Sequence, residues 1–585
     1  MTAIRFLALA GAPERLRTFL QRVRPGHRSP QRLNRELDRP GLVVFTSPET
    51  PLVRLSKDAL GSDRGLIVGR LYRRDDCAAV ERLGEGESRT IIDTGGGSLL
   101  HNWWGSYACF LDDGTGATVL RDPSAAVPVY CATVDDVRIW FPDLAACEDV
   151  GIADRPIDAE YLRQWLTFPN LRTARTGVQG VTELLPGTAH HLKGDELETR
   201  NLWTPWRSIG SSSPPADFAE AAQAVRSTVT RTIAAQLKDR GGFGLELSGG
   251  LDSAIVAAAL AAAGITLPAV NFSTRSADGD ERDYARAVAD HLQLSLSLVE
   301  EDLGPLVLRP PARTAIRPQL SPVLQPLNRA LCRFADDAGL SGLVTGGGGD
   351  NLFCYLTTTA PILDALRDRG PGGAFRATRD MAAVTGSTLW KAGRYALRKR
   401  ARQHRRPAWK RDERFLAPNG IARSRDTHPW LEAPPGAHAG KLEHVGSMLR
   451  AHHYMEPEHP TGEAILHPLI NQPLMELCLS IPTWLWIHGG RNRAVAREAF
   501  ADLLPAATIN RRTKGRFESM CARAFEQNRA QLADLLLGGV LAGRGLIQTD
   551  QVELYCAGTG PAPDDDYYRL FDIASLELWL RARAG

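Results

Sequence analysis

Cysteine is sparse and unpaired in this chain: nine residues are spread over 585, none spaced C-x-x-C and none forming an even framework. That scatter argues against a zinc site or a disulfide scaffold and for a reducing compartment, so a cytoplasmic protein is expected. Charge of one sign is missing too. Lys and Arg number 70 against 67 Asp and Glu, and a net charge of +3 says little about partners. No stretch approaches the length of a membrane span. The run Phe6-Leu7-Ala8-Leu9-Ala10 imitates a weak signal peptide, but it is short and Pro13-Glu14-Arg15 follows at once, which favours a buried first strand. What remains is ordinary globular composition, 43% hydrophobic and 23% charged, in a chain long enough for two or more domains with cores of their own.

Against these absences stands Ser248-Gly249-Gly250-Leu251-Asp252-Ser253. It lies between a strand-like run, Phe243 to Leu247, and a helix-like run, Ala254 to Leu260. Strand, small-residue turn and helix bring several backbone N–H groups and a positive helix end to one point, which is how a chain binds phosphate. The glycines allow close approach, the serines add hydroxyls, and Asp252 can hold a divalent cation between phosphate oxygens. The Gly-Lys-Ser/Thr ending of a Walker loop is lacking. A plain helix-capping turn would explain Ser-Gly-Gly alone; the Asp-Ser continuation and both flanks favour phosphate.

A second segment, Thr345-Gly346-Gly347-Gly348-Gly349-Asp350-Asn351-Leu352-Phe353, follows the end of a buried strand at Leu343-Val344. A glycine run ending in Asp can hug a nucleotide and set a carboxylate beside its phosphates. The first motif resembles the pyrophosphate loop of the ATP-pyrophosphatase superfamily. The second is similar to the Ser-Gly-x-Gly-x-Asp-Glu-x-Phe segment of the asparagine synthetase family, with Asn351 in place of Glu. The resemblance implies ATP and Mg²⁺ as cofactors. Asp252 and Asp350 would hold the metal. The nucleotide would lie against Leu247, Ser248, Gly249, Gly250 and Ser253, against Asn271 and Ser273 on the next strand, and against Thr345 and Gly346.

The chain is expected to divide at the Ser/Pro/Gly-rich stretch Arg207 to Ala216, giving domains 1–206 and 217–585. The first half alternates short strands with turns, among them Leu66 to Tyr72 and Tyr107 to Leu111. Its Arg121-Asp122-Pro123 and Val127 to Cys131 resemble a segment of the family's glutaminase domain, which implies a two-sheet, four-layered N-terminal-nucleophile fold. Family glutaminases begin Met-Cys-Gly-Ile and use the exposed cysteine on glutamine. Here Thr2 holds that position, so the reading is a degenerate, inactive glutaminase-like domain and no glutamine-derived ammonia.

The second half reads strand, helix, strand, helix, as in a doubly wound parallel sheet, so the class is α/β. Strands are expected at Ala269 to Ser273 and Leu294 to Val299. Asp280-Glu281-Arg282-Asp283-Tyr284-Ala285 resembles the family's Asp-Glu-x-x-Tyr-Ala opening of a helix, a structural role. Trp390 to Arg414 is strongly basic with Tyr395 and Trp409 interleaved. A solvated helix face is the default there, a lid or acidic-peptide dock the functional alternative; nothing else supports nucleic acid. His452-His453 lack regular metal geometry beside Pro457 and Pro460 and read as a substrate-pocket wall.

His467 to Asn471 resembles Val-Pro-Phe-Leu-Asp, Arg493 to Phe500 resembles Lys-x-x-Leu-Arg-x-Ala-Phe, and Arg512-Thr513-Lys514 resembles Arg-x-Lys. Pyrophosphate departure builds negative charge that only fixed cations stabilise. Lys514 is the leading candidate with Arg493 assisting, although a surface lysine stays open. Glu463 and Glu456 are candidate bases.

Within the family, β-lactam synthetases and lasso-peptide cyclases also lack the glutaminase cysteine. Gly347 stands where β-lactam synthetase has a Tyr that helps activate the nucleophile. The basic region, Ile481 to Trp484 and the tail look more like the lasso cyclases. The resemblance therefore implies a macrolactam synthetase that adenylates an Asp or Glu side chain of a ribosomal core peptide for attack by its own α-amine. Its partners would be that peptide and a leader peptidase and leader-binding protein of the same pathway, with no membrane. Another amide ligase of the family and a nucleotide-binding scaffold are the alternatives.

Overall fold

The computed structural model describes residues 4–584 apart from 24–32, 58–62, 212–214, 216, 239, 274–279, 301–305, 307, 312–314, 319–320, 403–408, 456–463, 513–516, 559–561 and 563. Two antiparallel six-stranded sheets build the first half. One runs Val181–Glu183, Tyr130–Val134, Val137–Phe141, Phe6–Ala10, Leu42–Thr46, Asn34–Arg39; the other runs Glu196–Asn201, Thr188–Lys193, Ala117–Arg121, Trp103–Asp112, Asp63–Arg73, Leu52–Lys57. Phe6–Ala10 is apolar throughout because it is covered on both faces. Phe6 and Ala8 point into the sandwich with Val68, Phe110 and Trp140, while Leu7 and Leu9 meet Leu16 and Phe19 of the helix Pro13–Arg22. On the far side, Ile91 and Ile92 of Glu85–Asp93 pack on Ile67, Leu71 and Leu120. Helix, sheet, sheet, helix is the four-layered arrangement expected, and the short apolar start is its first strand.

The second half carries a parallel sheet ordered Leu296–Glu300, Ala269–Ser273, Phe243–Glu246, Gly342–Val344, Ala464–Leu466. Phe243, Leu245 and Leu247 face the helices Phe218–Leu237 and Leu251–Ala262; Val270 and Leu343 face Leu331 and Ala335 of Gln325–Asp337 on the other side. Both faces are covered, as a doubly wound parallel sheet requires. Beyond its first turn, which carries Asp252 and Ser253, the helix Leu251–Ala262 is apolar all round, and Ala254 through Leu260 are buried.

Of the stretch read as a linker, Arg207 to Ser211 complete the helix Pro205–Ser211, while 212–214 and 216 lie outside the described residues. Trp206 Nε1 donates to Trp430 O at 2.8 Å, and the Trp203 ring meets Trp430 edge-on at 5.4 Å. These two tryptophans anchor the chain just ahead of the Ser/Pro/Gly-rich stretch.

The basic helix Leu389–Arg402 exposes Lys391, Arg394, Arg398 and Arg400, while Lys399 turns in to pair with Glu443. His452 is no pocket wall. It is buried edge-on against Trp430 at 4.8 Å, and burial pushes its pKa well down. His453 lies 5.2 Å from the Trp165 ring, its pKa pushed down to about 3 by burial. Aromatic rings flank both imidazoles, and the nearby Arg172 guanidinium also opposes their protonation.

Candidate active site at the carboxyl edge of the parallel sheet

Strand Phe243–Glu246 runs straight into the Ser-Gly-Gly turn. Gly249 adopts φ +80°, and Gly250, the helix N-cap, offers no side chain to cap the first-turn amides of Leu251–Ala262. Ser248 Oγ lies 3.0 Å from Ser253 Oγ, and Gly250 N–H leans on Ser248 Oγ at 3.3 Å. The turn is therefore closed on itself, with backbone donors and a helix N-terminus converging.

The second glycine loop packs directly on the first. A Cβ on Gly346 would stand 2.4 Å from Ser253 N, and one on Gly349 2.5 Å from Asp252 Cγ. Only glycine permits that approach. It brings Asp252 and Asp350 together around one cation, the guanidinium of Arg493. Arg493 Nη1 donates to Asp252 Oδ1 and Oδ2 at 2.8 and 2.9 Å and to Asp350 Oδ1 at 2.6 Å. Arg493 is 4% exposed and lies over the Tyr355 ring. Burial opposes its charge, but Asp252 and Asp350 outweigh burial and hold its pKa up. This Arg, expected to assist Lys514 at the departing pyrophosphate, bridges the two candidate metal ligands, while Lys514 lies outside the described residues.

At the edge of the next strand, Asn271 Nδ2 donates to Leu247 O at 2.8 Å. Asn271 Oδ1 and Ser273 Oγ are buried with no hydrogen-bond partner among the described residues. Orphaned polar atoms beside a phosphate-type turn fit a bound nucleotide. Two carboxylates converging on one cation fit a divalent metal, although no cluster of three or more His, Cys, Asp or Glu occurs among the described residues.

Asn351, which replaces the family's Glu, turns away: its Nδ2 donates to Ser447 O and Oγ at 2.8 and 3.0 Å. Asn471 caps the helix Gln472–Ser480 through Leu474 N. Lys514, Glu463, Glu456 and Thr2 lie outside the described residues.

Two residues at this edge were missed from the sequence. His467 Nδ1 lies 3.0 Å from Thr345 Oγ1, and burial lowers its pKa to about 4. A Cβ on Gly347 would come within 2.3 Å of that ring nitrogen, so His467 fills the space beside the position where β-lactam synthetase carries Tyr. Polarity where the family motif has Val was the signal. Glu246, two residues before Ser248, has its pKa raised to about 7 by burial. A lone acid at the end of an otherwise apolar strand was its mark.

Sheet order, turn and paired carboxylates together define the nucleotide-binding half of an ATP-dependent ligase. A family model for asparagine synthase matches residues 224–581, well over half of the chain, and the protein belongs to that family, whose members form C–N bonds and release AMP and diphosphate. Carboxyethyl-arginine beta-lactam-synthase of Streptomyces clavuligerus is 24% identical over 461 residues, covering 76% of this chain and 72% of that protein. Among solved structures, the allosteric regulatory enzyme of purine biosynthesis (11% identity, 59% of this chain and 84% of that chain) superposes with a TM-score of 0.21. Glutamine phosphoribosylpyrophosphate amidotransferase from B. subtilis (10% identity, 59% and 81%) gives 0.20. Overlaps that loose bear no weight. Among the described residues no helix is long and apolar enough to cross a membrane.

Proposed function

We propose that this ligase closes a macrolactam ring in a ribosomal peptide. A side-chain carboxylate of Asp or Glu attacks the α-phosphorus of ATP, and pyrophosphate leaves. The peptide's N-terminal amine then attacks the acyl carbon, AMP departs and the amine proton passes to a base. The turn Ser248–Ser253 binds the β,γ-phosphates, Asn271 and Ser273 face the nucleoside, and Lys514 steadies the charge that grows on pyrophosphate. Asp252 and Asp350 would hold Mg²⁺, which neutralises the phosphates once Arg493 yields their carboxylates.

The observation that carries the reading is an adenylating site joined to a first half without a usable thiol. Cys77, Cys109, Cys131 and Cys147 are all buried, and burial raises each pKa, Cys131 to about 12. The nitrogen nucleophile must then come with the substrate. A substrate of peptide size is favoured by the helix Leu389–Arg402, which exposes Trp390 (84%) and Leu397 (67%) among Arg394, Arg398 and Arg400, arginines that pair with no carboxylate among the described residues. The curated relative favours a second reading, a small-molecule cycliser, and Gly347 in place of Tyr weighs against it.

The test is ATP–pyrophosphate exchange and mass spectrometry with Mg²⁺ and linear peptides bearing Asp or Glu at successive positions. Exchange with loss of one water from a peptide is expected. Exchange with small amino acids alone would move the protein to the second reading, and no exchange with any carboxylate would leave a nucleotide-binding scaffold.

A further inference from the structure

Arg511 follows the helix Ala506–Asn510 and stands behind the pyrophosphate turn. Its guanidinium lies over the Tyr284 ring, 4.1 Å from the centroid. One nitrogen, Nη2, pairs with Glu281, and the other, Nη1, donates to Gly249 O at 3.1 Å. The turn is seated on the same two residues. A Cβ on Gly249 would stand 2.7 Å from Glu281 O and 3.2 Å from Tyr284 Cβ. Glu281 and Tyr284 thus do more than open the helix Arg282–Leu292. They hold a cation against the back of the turn, and its side chain is only 10% exposed.

Peptide geometry gives that contact a consequence. In a trans peptide the C=O of one residue and the N–H of the next point to opposite sides. No peptide bond among the described residues is cis. A guanidinium gripping Gly249 O from behind therefore aims Gly250 N–H forward, toward Ser248 Oγ and the helix end. Two adjacent glycines are the residues most free to flip this unit, and a flipped unit would turn a carbonyl oxygen toward incoming phosphate.

We propose that Arg511 is a positioning residue that locks the Gly249–Gly250 peptide so that Gly250 N–H faces the β,γ-phosphates of ATP, with Glu281 and Tyr284 holding the guanidinium in place. It acts through the peptide and not on the nucleotide. The inference rests on the reading of this turn as the pyrophosphate site. A lysine could not replace Arg511, because one ammonium does not supply a stacked plane and two divergent donors together.

Titration calorimetry of the full chain with MgATP and with AMP, on the unmodified protein and on R511M, R511K and E281Q, tests it, with melting curves beside. R511M should weaken ATP roughly ten- to hundredfold, in line with the loss of one preorganised donor, and leave AMP unchanged because AMP lacks the phosphates this N–H meets. R511K should resemble R511M, and E281Q should fall between. Equal ATP affinity in R511M and the unmodified chain would overturn the proposal, as would parallel losses for ATP and AMP. If R511M does not fold, R511K and E281Q carry the same comparison. Failure of the unmodified chain to bind ATP would instead remove the nucleotide reading beneath it, and it would show before any variant is compared.

Discussion

Gly347 and His467 show how a single residue narrows the chemistry at this edge. The imidazole is neutral, bonded to Thr345 Oγ1, and lies where any side chain at position 347 would begin. Gly347→Ala would push its new methyl into Nδ1, and overpacking of this kind costs about 1–3 kcal/mol. Removing the ring as well, in G347A/H467A, should return part of that loss, so a double-mutant cycle read by urea unfolding should give a coupling on the order of 1 kcal/mol or more. Additive losses would mean that the two residues do not compete for the space. The residue scale also marks the limit of sequence reading. That Ser248, Asp252 and Asp350 would meet at one edge was legible, because each motif is local and follows a strand of the same parallel sheet. Arg493 was legible as a cation but not as the bridge between the carboxylates, because it lies 241 residues from Asp252 and only the fold joins them. His467 and Arg511 act through Thr345 and Gly249, neighbours 122 and 262 residues away.

At the scale of elements, the strand Phe243–Glu246 was legible as apolar, and its last residue carries a cost that the pattern hides. Glu246 shares register with Val270, whose face is covered by the helix Gln325–Asp337, and burial lifts its pKa from 4.5 to about 7. A raised carboxyl pKa means the folded chain binds a proton that the unfolded chain has released. Glu246 therefore supports the fold most below pH 4.5, and its contribution falls as pH climbs to about 7. Glu246→Gln keeps the neutral shape. It should remove this slope and stabilise the protein by about 1–3 kcal/mol above neutrality, with little change near pH 4.5, as read from urea melts at the two ends. A variant no more stable than the unmodified chain at high pH would place the carboxylate in contact with water. Around Arg207 composition was a poor guide to local structure: Arg207 to Ser211 look like a linker but complete the helix Pro205–Ser211, whose Trp206 docks on Trp430 beside Trp203.

For the molecule as a whole, one buried carboxylate joins what composition divides. Glu183 ends an edge strand of the first sheet and accepts from Arg121 of the second sheet at 2.7 Å, from Arg172 at 2.8 and 2.9 Å, and from Arg317 of the second half at 2.6 Å. Arg172 also reaches His452 O at 3.1 Å, in the helix Ala439–Tyr454. Burial works against the charge on Glu183, but the three guanidiniums outweigh it and hold the pKa well below the usual carboxylate range. Its contribution is then present above pH 4.5 and is lost only as pH falls below that value. Glu183→Gln keeps the volume and leaves three arginines around a neutral amide. Breaking a buried ion cluster from one side costs about 3–5 kcal/mol, more than one hydrogen bond, because the remaining charges stay desolvated. Since those charges belong to both sheets and to the second half, the melting point should fall for the whole chain in calorimetry, with no part left at its original temperature. ATP affinity measured well below that melting point should stay unchanged, because the cluster shares no residue with the turn Ser248–Ser253. If the first half alone melted earlier, Arg317 would be a bystander and the two halves would be joined elsewhere; if nothing moved, the cluster would be hydrated and its burial illusory. The expected result would make the first half, whose four cysteines are all buried, a structural part of the ligase and inseparable from it.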